Sequence, residues 1–326
     1  MKTAKPFLKW AGGKSQLINE IENSLPQDFN KKEFTFIEPF VGSGAVMFWM
    51  LNKYPNIKKA VINDINTDLT NTYITIRNNV RDVIGQLDEW QSQYHQFIND
   101  SDARKEYYYE KRALFNTRES DNVVQASLFI FLNRTCFNGL YRVNKSNGFN
   151  VPIGSYKTPL ICDEENLLVV SKLLEKVEIL NGDFEDTLFH VDKNSFFYFD
   201  PPYKPLSNTS SFNSYAKDEF NDNEQIRLRD FCEKLNSNEH YWMLSNSDVK
   251  GKNPNDNFFD DLYSNFNINR VQARRSINAN PDKRGVLNDN LGKSLKGRAI
   301  RTHSFSFEKK EKGVQTNATI PFAIAA

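Results

Sequence analysis

The stretch FTFIEPFVGSGAVMFWML, residues 34–51, constrains the fold more than any other part of the chain. A short strand-like run ends in a glycine turn and passes at once into an apolar segment with helical spacing. A second strand candidate, residues 60–63, ends at Asp64 and is followed by helix-like spacing over about 68–78. Strand, loop, helix, strand, helix is the opening of a parallel α/β sheet, because parallel neighbours require crossover connections. Strand signals return at 177–180, 196–199, 242–244 and 268–273, with helix-like 223–235 between them. Between the two sets, residues 80–132 place Gln, Glu, Tyr, Lys and Arg at helical spacing, which predicts a helical insertion. The insertion runs into LNRTCFNGLYRVNKSNGFNVPIGSYK, where Asn-Gly, Ser-Asn-Gly and Pro-Ile-Gly predict a hairpin-rich loop.

In open α/β sheets ligands bind beyond the carboxyl ends of the strands. Gly42 and Gly44 follow the first strand directly, where a backbone must approach a ligand closely; a tight turn without a ligand has the same signature. Dinucleotide spacing is absent, since GSGAVM continues with Ala45 and Met47. Asp64, about twenty residues on, is placed to accept hydrogen bonds from ribose hydroxyls, and this pair of features suits a nucleoside cofactor without pyrophosphate, S-adenosylmethionine. The competing reading makes Asp64 the cap of the next helix, a task Asn66 or Thr67 could also perform. Earlier, FLKWAGGKSQL sets Trp10, Gly12, Gly13 and Lys14 before a helix start: either an entry capped near Ser15, or amides that approach the cofactor's methionine carboxylate.

The run SFFYFDPPY, residues 195–203, ends four aromatics in five positions with an acid and two prolines. Prolines donate no ladder hydrogen bond, so Pro201 and Pro202 stop the strand and expose carbonyls at its edge. An exocyclic amine on a planar base has two N–H donors, which Asp200 and the Pro201 carbonyl can take while Tyr203 stacks on the ring. Two convergent acceptors draw the nitrogen toward tetrahedral geometry and stabilise the charge that develops as it attacks a methyl sulfonium. The plainer reading is a rigid strand terminator. None of Cys136, Cys162 and Cys232 has a Pro-Cys context, which disfavours carbon-5 methylation of cytosine.

The same three cysteines, odd in number and without CxxC spacing, indicate neither a disulfide framework nor a metal site. No apolar run approaches the roughly 20 residues of a membrane span, and the expected location is the cytoplasm. Net charge is +1, so a nucleic-acid surface has to be a local patch.

Taken together, FLKWAGGK, EPFVGSGA, VINDIN, LNRTCFNGLYRVN with FNVPIG, DPPYKPLSNTSSF, MLSNSD and RRSINAN resemble the Dam-type DNA adenine-N6 methyltransferases, restriction-associated GATC enzymes included, from about Pro6 to Gly285. The resemblance implies a Rossmann-like α/β catalytic domain, residues 1–66 and 176–326, interrupted by a helical target-recognition domain, 67–175. It implies S-adenosylmethionine as methyl donor and a flipped adenine in double-stranded GATC as acceptor. Trp10, Ala11, Gly12, Gly13, Lys14, Phe40, Gly42, Ser43, Gly44, Asp64, Asp183, Phe184 and Asp200 would then bind the cofactor. Asp200, Pro201, Pro202 and Tyr203 would form the acceptor pocket. DNA contacts would come from Lys9, Arg134, Phe137, Asn138, Gly139, Leu140, Arg142, Asn144, Pro152, Tyr156 and Lys157. Among these Arg142 is similar to an arginine that reads guanine, Leu140 and Pro152 to residues on thymine methyls, and Phe137 to an aromatic that fills the stack. Lys9 and Tyr156 match positions at the outer base pair. A restriction endonuclease cutting the same site is an implied partner, as the chain is either its companion or an orphan methylase.

One departure concerns the C-terminal part. The family usually adds a short acid-led apolar strand, whereas here NDNLGKSLKGRAIRTHSFSFEKKEKG follows Val286 and Leu287; either THSFSF, 302–307, which alternates in strand fashion, substitutes for that strand, or the tail is foreign sequence and the sheet closes imperfectly. Two other classes stay open: a DNA binder without useful turnover, and a methyltransferase acting on an RNA or protein amine.

Overall fold

The structure is a computed structural model that describes residues 2–10, 14, 17–26, 29–203, 220–246, 253–266, 268–273 and 302–304. Along the chain run α1 (Ile18–Asn23), β1 (Phe34–Glu38), α2 (Ala45–Lys53), β2 (Ile57–Asp64), α3 (Thr67–Gln96), α4 (Ser101–Thr117) and α5 (Asn122–Thr135). Then come α6 (Glu164–Leu174), β3 (Val177–Asn181), β4 (Ser195–Phe199), α7 (Asp222–Ser237), β5 (Tyr241–Leu244), α8 (Phe258–Leu262), β6 (Val271–Ala273) and β7 (Thr302–Ser304). The chain divides into two compact units, one built mainly from Met1–Trp10 and Asn30–Ser195, the other from Ala11–Phe29 and the described residues from Phe196 onward.

In the first unit β1, β2 and β3 are parallel neighbours, with Phe36 opposite Ala60 and Ile62 opposite Ile179. Every residue of β1 is buried, as expected of a strand covered on both faces. The register sets Glu38 opposite Ile62, so the segments leaving β1 and β2 emerge at one sheet edge.

The expected break near residue 79 is a kink inside one long helix: α3 runs unbroken from Thr67 to Gln96, with Asn79 alone outside helical geometry. Its buried stripe, Leu69, Tyr73, Ile76, Val83, Leu87, Trp90 and Tyr94, recurs every three, four or seven residues and packs against α5 and α6. α5 is buried on nearly all sides, and Phe131 stands edge-on to Trp90, Tyr94 and Tyr107. These helices share a compact unit with β1–β3.

The loop after α5 is a hairpin with antiparallel bridges Cys136 to Ile153 and Val143 to Phe149. Its turn is closed by Asn144, whose Oδ1 accepts the N–H groups of Ser146 and Gly148. α4 grips it through Asn116, which exchanges two hydrogen bonds with the Phe149 backbone, and through the Tyr108 hydroxyl, which donates to the Val151 carbonyl at 2.8 Å.

In the second unit β4 and β5 are parallel, and Phe197 and Phe199 pack edge-on against Phe231 of α7. Residues 302–304 of THSFSF form a strand, pairing antiparallel with β6 as a separate two-stranded ladder. Leu291 and the rest of THSFSF lie outside the described residues. Cys136, Cys162 and Cys232 are buried free thiols, and among the described residues no helix is long and apolar enough to cross a membrane.

Truncating Leu87, fully buried in the α3 stripe, leaves a cavity that the neighbouring helices fill only in part. Leu87→Ala should therefore lower unfolding free energy by about 2–5 kcal/mol, read as a shifted denaturation midpoint at unchanged slope.

Candidate active site

In the first unit the loop between β1 and α2 is held from three directions. The Gly42 N–H donates to Asp64 Oδ2 at 3.1 Å, the Gly42 carbonyl accepts from the Tyr73 hydroxyl at 2.9 Å, and a Cβ on Gly42 would stand 3.0 Å from the Trp10 indole. Gly44 caps α2 in left-handed conformation, φ 71°, and a Cβ there would stand 2.8 Å from Tyr73 Oη and 2.9 Å from Met47 Cε. Only glycine meets both conditions. Ser43 between them is buried.

Asp64 does not cap α3. Asn66 does, its side chain accepting the Leu69 N–H at 3.1 Å, while Asp64 Oδ1 takes the Asn66 N–H at 3.0 Å. Burial pushes the Asp64 carboxyl up, and the two backbone N–H groups oppose this. Across the same edge the rings of Phe40 and Phe184 meet at 5.4 Å, and Asp183 caps the short turn Phe184–His190 by accepting the Glu185 N–H.

Trp10 stacks on Tyr141 at 5.8 Å and 20°. The Tyr141 hydroxyl donates to Asp68 Oδ2, which also pairs with Arg118 at 2.8 Å. Sequence reasoning missed Tyr73, Tyr141, Asp68 and Arg118. The available signal was a hydroxyl-bearing ring on the buried stripe of α3, a feature Tyr73 shares with Tyr94.

In the second unit β4 ends at Phe199 and presents Asp200. Lys14, only 4% exposed, sets its ammonium 2.7 Å from Asp200 Oδ1 and hydrogen-bonds the Tyr203 hydroxyl. Burial pushes the Asp200 carboxyl up and the Lys14 charge opposes it; burial also works against the Lys14 ammonium, which Asp200 and Tyr203 more than offset. Gln225 of α7 donates to the Pro202 carbonyl at 3.3 Å and accepts from Asn246 of the MLSNSD stretch at 2.9 Å. Neither Gln225 nor the Asn246 contact was legible in sequence. Ala11, Gly12 and Gly13 lie outside the described residues.

The hairpin of the first unit displays its candidates unequally. Arg142 is exposed, its Nε donating to Asn150 Oδ1 at 2.7 Å; Pro152 and Lys157 are also exposed, Phe137, Asn138 and Leu140 half-buried. Lys9 holds its ammonium 3.8 Å above the Tyr156 ring and runs its side chain across Gly139. One candidate has a structural duty: Asn144 uses its oxygen on the turn. Arg134 is half-buried, and burial lowers its pKa while Asp163 opposes this.

Residues 10–277 match the sequence profile of the D12 class N6 adenine-specific DNA methyltransferases. The chain is similar to the type II methyltransferase M.MjaIII of Methanocaldococcus jannaschii, 50% identical over 86% of this chain and 95% of that protein. It is 38% identical to the type II methyltransferase M1.LlaDCHI of Lactococcus lactis over 87% of this chain and 93% of the relative. A DNA adenine methylase of Haemophilus influenzae is also 38% identical, over 86% and 90%.

Gly44→Ala should destabilise the protein by at least about 1–2 kcal/mol, the cost of the left-handed conformation alone, plus the clash with Tyr73. In a Tyr73→Phe background the hydroxyl contact disappears and the conformational cost remains, so the penalty measured by denaturation should shrink without vanishing.

Proposed function

The chain belongs to the D12 class of N6 adenine-specific DNA methyltransferases, and from that premise we propose that it methylates a flipped adenine within double-stranded GATC. Its methyl donor is S-adenosylmethionine, which supplies an electrophilic methyl on a sulfonium. The residues of the first unit fit such a donor: each Asp64 oxygen carries two lone pairs and accepts one backbone N–H, which leaves acceptor capacity for ribose hydroxyls. We assign Trp10, Phe40, Ser43, Asp183 and Phe184, with the Gly42 and Gly44 backbone, to holding it.

Asp200 and the Pro201 carbonyl take the two N–H groups of the target amine, with Pro202 fixing the edge and Tyr203 stacking on the base. With Oδ1 engaged by Lys14, Oδ2 is the oxygen assigned to the amine. An ionised carboxylate there stabilises the positive charge that grows on nitrogen during transfer. Residues 67–175 serve target recognition and 1–66 with 176–326 serve catalysis. The chain acts in the cytoplasm, either beside a restriction endonuclease that cuts the same site without touching it or as an orphan methylase.

The observation that carries the GATC assignment is the exposed Arg142 at the hairpin, its Nε fixed by Asn150 so that the outer edge of the guanidinium is oriented. A planar fork of this kind matches guanine N7 and O6. Methylation of a GATC duplex should greatly exceed that of a scrambled duplex, and Arg142→Ala should cost about 1–3 kcal/mol of discrimination at one guanine. Equal methylation of both duplexes by the unaltered chain would reject the assignment.

Because burial raises the Asp200 pKa and the amine needs its ionised form, kcat/KM for DNA at saturating cofactor should fall on acidification with a midpoint above that of an ordinary aspartate. Lys14→Met removes the charge that favours ionisation, so the acid limb should move to higher pH. A limb that moved to lower pH would contradict this role for Lys14.

A further inference from the structure

Lys9 lies in the N-terminal segment, residues 2–10, which forms no helix or strand, so no ladder places its backbone. One side chain does. Asn133, buried in the last turn of α5, accepts the Lys9 N–H on Oδ1 at 2.8 Å and donates through Nδ2 to the Lys9 carbonyl at 2.8 Å. The same Nδ2 donates to the Gly139 carbonyl at 3.0 Å. A single amide thus replaces a strand partner for Lys9 and ties it to the hairpin. Asparagine is a weak helix former, and a buried amide left unsatisfied is costly, so three bonds from one side chain, one accepted and two donated, mark a placed group.

The position of Gly139 shows what is being placed. A Cβ there would stand 2.5 Å from both Cβ and Cδ of Lys9, so the lysine stem crosses the bare face of the glycine and ends with its ammonium over Tyr156. Two points, Asn133 at the backbone and Gly139 along the stem, set where the Lys9 charge arrives.

We propose that Asn133 is a positioning residue for target specificity: it aims Lys9 at the outer base pair of the recognition site and touches neither the DNA nor the cofactor. This rests on the proposed GATC reading and on the resemblance that sets Lys9 at its outer base pair. The test compares kcat/KM, and Kd with S-adenosylhomocysteine present, for a GATC duplex and one whose outer G·C pair is replaced by A·T. The ratio of the two substrates cancels the fraction of correctly folded enzyme, and Asn133→Ser and Asn133→Ala are both measured in case one folds poorly. Lys9→Ala should reduce discrimination by roughly 5- to 150-fold, the range ordinary for one base pair. Asn133→Ser and Asn133→Ala should each lose a large part of the same factor, and adding Lys9→Ala to either should lose no more than Lys9→Ala alone. Full discrimination in the Asn133 variants while Lys9→Ala loses it, or losses that multiply in the double variant, would overturn the inference. Unchanged discrimination in Lys9→Ala would instead remove the reading beneath it.

Discussion

A carboxylate at the end of β2 holding the amide after β1 is the contact from which the rest of the first unit follows. Parallel pairing sets Glu38 opposite Ile62, so Gly42, four residues beyond Glu38, and Asp64, the last residue of β2, stand at one edge of the sheet. The Asp64 oxygens then take two backbone N–H groups, and the loop between is pinned before any ligand arrives. Placing a charge in such surroundings works against ionisation, which is why burial lifts this carboxyl. A preorganised loop has this cost, and it lowers the ordering entropy that ligand binding would otherwise require.

The hairpin solves a different physical problem. It has two isolated bridges and no extended ladder, so its backbone groups must find partners elsewhere. Side chains on helices supply them: Asn116 and Tyr108 from α4, Asn133 from α5, and Arg104, whose guanidinium donates to the carbonyls of Tyr156 and Lys157. Such anchoring leaves Arg142, Pro152 and Lys157 exposed while fixing the backbone beneath them. A DNA methyltransferase of this class needs that combination, since base-edge recognition depends on side chains reaching groove atoms from a defined origin. Tyr141 adds a link inside the same unit, because it sits in the hairpin and stacks on Trp10 beside the glycine loop.

Much of this was legible in the residues, for local reasons. Strand, glycine turn and helix announce themselves within a few residues, and the observed β1–β5 fall where apolar runs predict them. The α3 boundary was misplaced because Asn78 and Asn79 look like a break, yet the stripe from Ile76 to Val83 to Leu87 carries the helix through with one kinked residue. Asp64 as helix cap or ligand acceptor could not be decided locally, since Asn66 offers the same oxygen. The structure gives the cap to Asn66.

What the sequence alone determined was the identity of its pieces: a parallel α/β chain with glycines and an acid after its first strands, an acid and two prolines after a later one, and a turn-rich loop in a helical insertion. These are short-range signals, written in the conformational limits of glycine and proline and in hydrophobic period. Tertiary structure alone decided the partners. Lys14 reaches Asp200 across 186 positions of sequence, Asn133 reaches Lys9 across 124, and Tyr73 closes on Gly42 across 31. Nothing in a local pattern specifies such pairs, because they depend on how the strands and helices carrying them pack, and packing is a property of the whole folded chain.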